Sequence, residues 1–262
     1  MDVTLASSAQ SVTLNGVEVA FTKRGSGAPL LLLTSEDGNE TNSDFVDALV
    51  ARYEVIMPEA PGFGASPDND RITTIDDIAY LYLDLLDRMK LRDVAMVGCG
   101  LGGWIAAEIA TKTCQHLRSL TLIGSYGIKI GGPYDRDIAD IYVLSKGEVA
   151  KRTYADAAKA PDYAQMDEAS LQIIARNRLA TVRYCWEPYM HNPKLKDRLH
   201  RISVPTVVFW GDNDGIVTPD YGRALAAAIP GAQFDLVAAA GHLPHLERTD
   251  ETLAKLSKFL SL

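Results

Sequence analysis

The 262-residue chain is short of positive charge, of cysteine and of long apolar runs, and each shortage closes off a class of function. With 26 Lys and Arg against 34 Asp and Glu the formal net charge is −8. No Lys/Arg run or aromatic-interleaved basic stripe offsets it, so phosphate backbones and anionic lipid surfaces are repelled. Neither nucleic acid nor a membrane is expected as a partner. The three cysteines, Cys99, Cys114 and Cys185, are an odd number at spacings that suit neither a paired framework nor a zinc knuckle. They read as reduced thiols, which fits a cytoplasmic protein, and nothing in the sequence calls for a metal or a cofactor. Apolar stretches such as Pro29 to Leu33 and Val207 to Trp210 have the length of strands, not the ~20 residues that cross a bilayer. Met1 to Ser11, uncharged apart from Asp2, has no basic or apolar region of the kind a signal peptide needs.

What is present is an ordinary globular composition, 47% hydrophobic and 23% charged, at a length that suits one large domain with an insertion. Asn15-Gly16 between Val12-Thr13-Leu14 and the alternating Val17 to Phe21 predicts a hairpin. From there strand and helix alternate. Leu30 to Leu33 is followed by a helix within Asn42 to Arg52, and Tyr53 to Met57 by a helix over Thr74 to Met89. In that second helix Thr74 and Asp77 have capping-box spacing, and Ile78, Tyr82, Leu85 and Met89 share a face. Val94 to Val97 leads into a helix over Trp104 to Thr111, then Leu120 to Ile123. After Gly131 the pattern turns mostly helical until His200. The alternation then resumes with Thr206 to Trp210, a helix after Pro219, Gln233 to Val237 and a closing helix over Asp250 to Leu262. Such alternation implies a mostly parallel sheet with right-handed crossovers. The expected organisation is a core of residues 1–130 and 201–262 with a helical cap, 131–200, inserted in it.

Four motifs fall in order on this frame. Pro61-Gly62-Phe63-Gly64-Ala65-Ser66 follows a strand. Val97-Gly98-Cys99-Gly100-Leu101-Gly102-Gly103 breaks a strand sharply into a helix. Trp210-Gly211-Asp212-Asn213-Asp214 ends another strand, and Ala240-Gly241-His242-Leu243-Pro244-His245-Leu246-Glu247 follows the last. Together they resemble the α/β-hydrolase superfamily, whose nucleophile elbow reads G-x-S-x-G. The resemblance covers essentially the whole chain and implies a mostly parallel eight-stranded sheet flanked by helices with an inserted cap. It implies Asp214 as the acid and His242 as the general base. At the nucleophile position stands Gly100, which has no hydroxyl. The cap residues Arg176-Asn177-Arg178 and Trp186 to Pro193 are similar to those of small bacterial capped esterases and meta-cleavage C–C hydrolases.

A second departure lies after the third strand, where the family carries His-Gly and uses a nearby backbone N–H for the oxyanion. Here the segment is Thr34-Ser35-Glu36-Asp37-Gly38. A carboxylate ~4 Å from a developing oxyanion costs on the order of 4 kcal/mol at an effective dielectric of about 20, roughly a thousandfold in rate. Gly100 has two origins open to it, natural loss or a deliberate Ser-to-Gly change. The altered Thr34-Ser35 loop, an independent site serving the same step, favours natural loss. Glycine there also relieves elbow strain worth ~1 to 3 kcal/mol.

The candidate site therefore comprises Asp214 and His242, with Gly100 at the nucleophile position, and Ser35, Glu36, Leu101, Trp186 and Tyr189 as oxyanion-loop or pocket residues. Cys99 reads as a core thiol and Trp104 as helix packing; His245 and Glu247 read as loop support, and His116 and His200 as surface residues. The expected partner is a small, partly apolar carbonyl or ester compound under the cap, with a homo-oligomer or an active paralogue as further candidates. Three other functions stay open. One is a lyase, isomerase or cofactor-free oxygenase dependent on His242 and Asp214. Another is a non-catalytic binding or regulatory protein. The last is an active-site variant of an ordinary ester or C–C hydrolase.

Overall fold

The structure, a computed structural model, describes residues 10–38, 43–132 and 134–261. The expectations that touch Met1 to Ala9, Asn42 and Leu262 lie outside those residues. Strands β1 (Gln10–Leu14) and β2 (Val17–Arg24) form the hairpin, with both turn residues at positive φ, Asn15 at 49° and Gly16 at 79°. That is the pair of left-handed residues a two-residue turn requires, and an Asn-Gly step supplies them at least cost. β3 (Pro29–Leu33), β4 (Glu54–Pro58), β5 (Val94–Cys99), β6 (Leu117–Ile123), β7 (Thr206–Gly211) and β8 (Gln233–Val237) complete one eight-stranded sheet in the order β1-β2-β4-β3-β5-β6-β7-β8. Only the β1–β2 and β2–β4 pairings are antiparallel; the other five are parallel.

The unbroken apolar reading of β3 and β5 follows from their place in the middle of the sheet, where both faces are covered. Leu31 and Leu33 join one apolar cluster, Leu30 and Leu32 the other. Helices α1 (Asp44–Val50) and α9 (Thr249–Leu260) cover the second face. The first face carries α2 (Ile75–Arg88), α3 (Leu101–Lys112) and α7 (Pro219–Ala227). The Thr74–Asp77 capping box that starts α2 forms as the spacing predicts. Cys99 and Trp104 are buried, as packing residues should be.

Between β6 and β7 the chain runs through α4 (Lys146–Thr153), α5 (Glu168–Cys185) and α6 (Leu195–Arg198). The short α8 (Pro244–Glu247) lies between β8 and α9. Among the described residues no helix is long and apolar enough to cross a membrane. One surface assignment needs correction. His116, expected at the surface, is only 1% exposed, because the loop before β6 folds back on the end of α2 and the ring is held by Arg92 Nη1 at 2.7 Å and Leu91 O at 3.1 Å. His200 does stand exposed.

Candidate active site

The sheet delivers the candidate residues at the carboxyl ends of its parallel strands, where open α/β sheets hold their ligands. β5 passes into α3 through Gly100, at φ 51° and ψ −115°, a conformation that strains any residue with a Cβ. The turn is tight enough that its neighbours must be glycine. A Cβ on Gly98 would stand 2.7 Å from Gly103 Cα, and one on Gly102 would stand 2.1 Å from Leu33 O. Strand, turn and helix are locked together by Gly102 N donating to Thr34 O (3.1 Å) and Gly100 N donating to Ile123 O (2.9 Å). Leu101 opens α3, so its N–H is among the first four that the helix itself cannot satisfy.

On the other side, the loops after β7 and β8 bring Asp214 and His242 into contact, His242 Nδ1 to Asp214 Oδ2, at 2.8 Å. Both are buried. The other oxygen of Asp214 accepts from Ile216 N and Val217 N, each at 2.9 Å, so the carboxylate is fixed before it meets the ring. The histidine loop is tied down as well. His242 N donates to Thr153 O (2.7 Å), and Glu247 accepts from Gly241 N (2.5 Å) and Ala155 N (3.0 Å). His245 is fully buried against the Phe45 ring. His245 and Glu247 thus have the supporting places expected of them.

The loop after β3 resolves what the sequence leaves open, the direction of its two acids. Asp37 points at the helical segment and pairs with Arg178, Oδ1 to Nε at 3.1 Å and Oδ2 to Nη2 at 3.2 Å. Glu36 points the opposite way, onto the elbow. Its Oε2 lies 2.9 Å from where a Cβ on Gly100 would be, and Ser35 Cβ lies 3.3 Å from the same point. Oε1 accepts from the Tyr126 hydroxyl at 2.7 Å. Oε2 is buried and has no hydrogen-bond partner among the described residues. Burial pushes the Glu36 carboxyl above its ordinary pKa; the positive charge available to His242 opposes that shift, and Asp37 adds to it. Tyr126 is itself pushed well up by burial and by Glu36, which keeps its hydroxyl a donor. The Tyr126 ring also stacks on His242, centroids 5.1 Å apart, so one side chain touches both groups.

Above this floor is a cavity of about 450 Å³ walled by Ile141, Tyr142, Leu144, Tyr163 and Ile216, with Glu36, Tyr126 and His242 at its base. Ser35 lines it too, whereas Leu101 lines a smaller neighbouring cavity of about 80 Å³. The two aromatics expected in the pocket fall outside its lining. Trp186, at the end of α5, is 53% exposed, and Tyr189 spends its hydroxyl on Ala139 O and Ile141 N, bracing the wall from behind. Tyr142 takes the place on the wall, edge-on to Trp186. The tripeptide Arg176-Asn177-Arg178 has a clear job. Arg176 donates to the carbonyls of Gly62, Gly64 and Ser66, Asn177 joins Gly64 N to Asp37 O, and Arg178 holds Asp37, so α5 clamps two loops at once. Among the described residues no group of three or more His, Cys, Asp or Glu could hold a metal ion.

The sequence pattern of the alpha/beta hydrolase family matches residues 39–255. The chain belongs to that family. Lipase 1 of Psychrobacter immobilis is 25% identical to it over 97% of this chain and 84% of its own length. Among solved structures, bromoperoxidase from Bacillus anthracis superimposes with a TM-score of 0.76 at 22% identity, covering 97% of this chain and 100% of that one. The meta-cleavage product hydrolase from Pseudomonas fluorescens IP01 does so with a TM-score of 0.77 at 18% identity, covering 96% and 97%. These α/β-hydrolase neighbours share the fold; the chemistry of this member has to be read from its own floor.

Tyr126 is the residue the sequence reading missed. It sits three residues past β6 with no motif around it. The available signal was positional, an aromatic at the carboxyl end of a central strand.

Proposed function

We propose that this α/β-hydrolase binds a small, partly apolar carbonyl or ester compound in the cavity beneath the helical segment, and that it does not work through an acyl-serine. The observation that carries the second half is the position of Glu36 Oε2, 2.9 Å from the point a side chain at residue 100 would first occupy. Space, charge and hydrogen bonding around Gly100 all suit the glycine. The first half is supported by a cavity of about 450 Å³, within the usual range for small-molecule sites, with tyrosine and aliphatic walls above a polar floor.

A second reading has its own support. The buried 2.8 Å contact between Asp214 and His242 would fix the imidazole tautomer for proton abstraction, which needs no covalent intermediate.

The test uses p-nitrophenyl butyrate. The chain as it stands is expected to be inert, and Gly100→Ser alone is expected to stay inert, because the ester carbonyl would have to share the space beside the elbow with the Glu36 carboxyl. Gly100→Ser combined with Glu36→Gly is expected to hydrolyse the ester. Brisk turnover by Gly100→Ser alone would sink the reading, since it would mean the oxyanion loop is still fit for acyl transfer.

A further inference from the structure

Glu36 is the polar group on the cavity floor with the least to do structurally. One oxygen accepts a single hydrogen bond, from Tyr126, and the other is buried without a partner among the described residues. The loop around it is firmly built. Gly38 N closes a turn on Ser35 O at 3.0 Å, Thr34 O accepts from Gly102 N, and Asp37 is clamped by Arg178. A buried carboxyl oxygen left unsatisfied on so firm a loop costs folding free energy unless something else uses it.

We infer that Glu36 is a catalytic acid, which hydrogen-bonds and protonates the carbonyl oxygen of the bound compound while His242 removes a proton from the adjacent carbon. The inference rests on the proposed reading that the cavity takes a carbonyl compound. Both groups line the same cavity, with Tyr126 touching each of them. Oε2 is shielded from solvent in this structure, but the last side-chain torsion of a glutamate is broad, so a modest turn presents its proton upward.

The step balances. The C–H bond next to the carbonyl breaks, its proton goes to His242 Nε2, and its electron pair becomes the new C=C bond. The carbonyl π pair moves onto oxygen, which takes the proton from Glu36. A neutral enol, a Glu36 carboxylate and an imidazolium result. Return of the imidazolium proton to the same or a conjugated carbon, and of the enol proton to Glu36, resets both groups without any oxidant or reductant. Burial apart, Glu36 is tuned by His242 beyond β8, by Asp37 and backbone on its own loop, and by Tyr126 beyond β6. Tyr142, Cys185 and Tyr189 face it from the helical segment and are themselves raised by its charge. A carboxyl kept neutral by burial so that it can donate is a known way of supporting an enolate.

The experiment is exchange of the α-hydrogens of 1-phenylpropan-2-one with D₂O, followed by proton NMR from pH 5 to 9, beside a calorimetric titration of the same ketone. The full chain is expected to bind the ketone and to speed the exchange, with a rate that falls at high pH as Glu36 loses its proton. His242→Ala should abolish the acceleration. Glu36→Ala should cut it roughly 100-fold or more. The near-isosteric Glu36→Gln, which can donate a hydrogen bond to the ketone but not a proton, should also lose most of the acceleration, and what remains should lack the high-pH fall, which a merely structural role would not produce. No binding at all would overturn the reading of the cavity and the inference with it. Binding without exchange, or exchange within a few-fold of normal in Glu36→Ala, would overturn the role of Glu36 alone.

Discussion

Two buried carboxyl groups face the same small region of the molecule and are treated in opposite ways. Asp214 accepts three hydrogen bonds, two from the backbone of its own loop and one from the His242 ring. Glu36 accepts one, from a tyrosine, and keeps a buried oxygen bare among the described residues. The Asp214 side of the floor is finished as a structural unit, a carboxylate whose acceptor capacity goes into orienting an imidazole. The Glu36 side is less committed. Residue 100 carries no side chain, and the Glu36 carboxyl stands over the place a Cβ would occupy. What the difference teaches is that two carboxyl groups of one floor can be committed to different degrees, one used up by its own loop and its histidine, the other keeping an oxygen in reserve.

The largest expected effect comes from removing the finished carboxyl. Asp214→Ala strands two buried backbone N–H groups and the His242 ring, and should cost ~2 to 4 kcal/mol in urea unfolding, while Asp214→Asn, which keeps an acceptor for Ile216 and Val217, should cost much less. Glu36→Ala, which strands only the Tyr126 hydroxyl, should cost clearly less than Asp214→Ala. Equal losses at the two positions would erase the contrast.

A smaller pair of changes asks whether the contrast is confined to side chains. A Cβ on Gly102 at the elbow would stand 2.1 Å from Leu33 O, and one on Gly211 beside the acid loop would stand 2.0 Å from Gly241 O. Both obstacles are backbone, so Gly102→Ala and Gly211→Ala should each cost about 1 to 3 kcal/mol by thermal unfolding. A much milder loss at Gly102 would mean that the elbow yields where the acid loop does not, and that the contrast extends to the backbone.

The sequence carried the frame and one side of this comparison much further than the other. Alternating apolar strands and helices, the Asn15-Gly16 turn and the Thr74-Asp77 cap are local signals, and each element they predict is present to within a few residues. Asp214 and His242 stand at strand ends in recognisable loops, so their meeting could be anticipated. The other side depends on which way Glu36 and Asp37 turn. That is decided by Arg178 and Tyr126, more than 80 residues away along the chain, and no local pattern encodes it. For Trp186 and Tyr189 a place in the inserted segment suggests the pocket, but which aromatic reaches the wall depends on how α5 packs against the Pro61 to Ser66 loop. His116 was misplaced for a similar reason, since the fold-back that buries it is a tertiary event.

The smallest effect is the most discriminating, because its sign depends on pH. Burial raises the Glu36 pKa above its ordinary value of 4.5, so the folded chain holds this proton more tightly than the unfolded one. Its contribution to stability is therefore fully present below about 4.5 and is lost as pH rises through the folded-state value. Glu36→Gln keeps the shape, keeps an acceptor for Tyr126 and cannot titrate. Relative to the parent it should gain stability between pH 4 and pH 7, with the two nearly matched at the acid end; urea midpoints at both pH values measure this directly. If the gap between Glu36→Gln and the parent stayed constant with pH, or closed as pH rose, the buried carboxyl would be no reservoir for a proton. The two acids of the floor would then differ in place but not in kind.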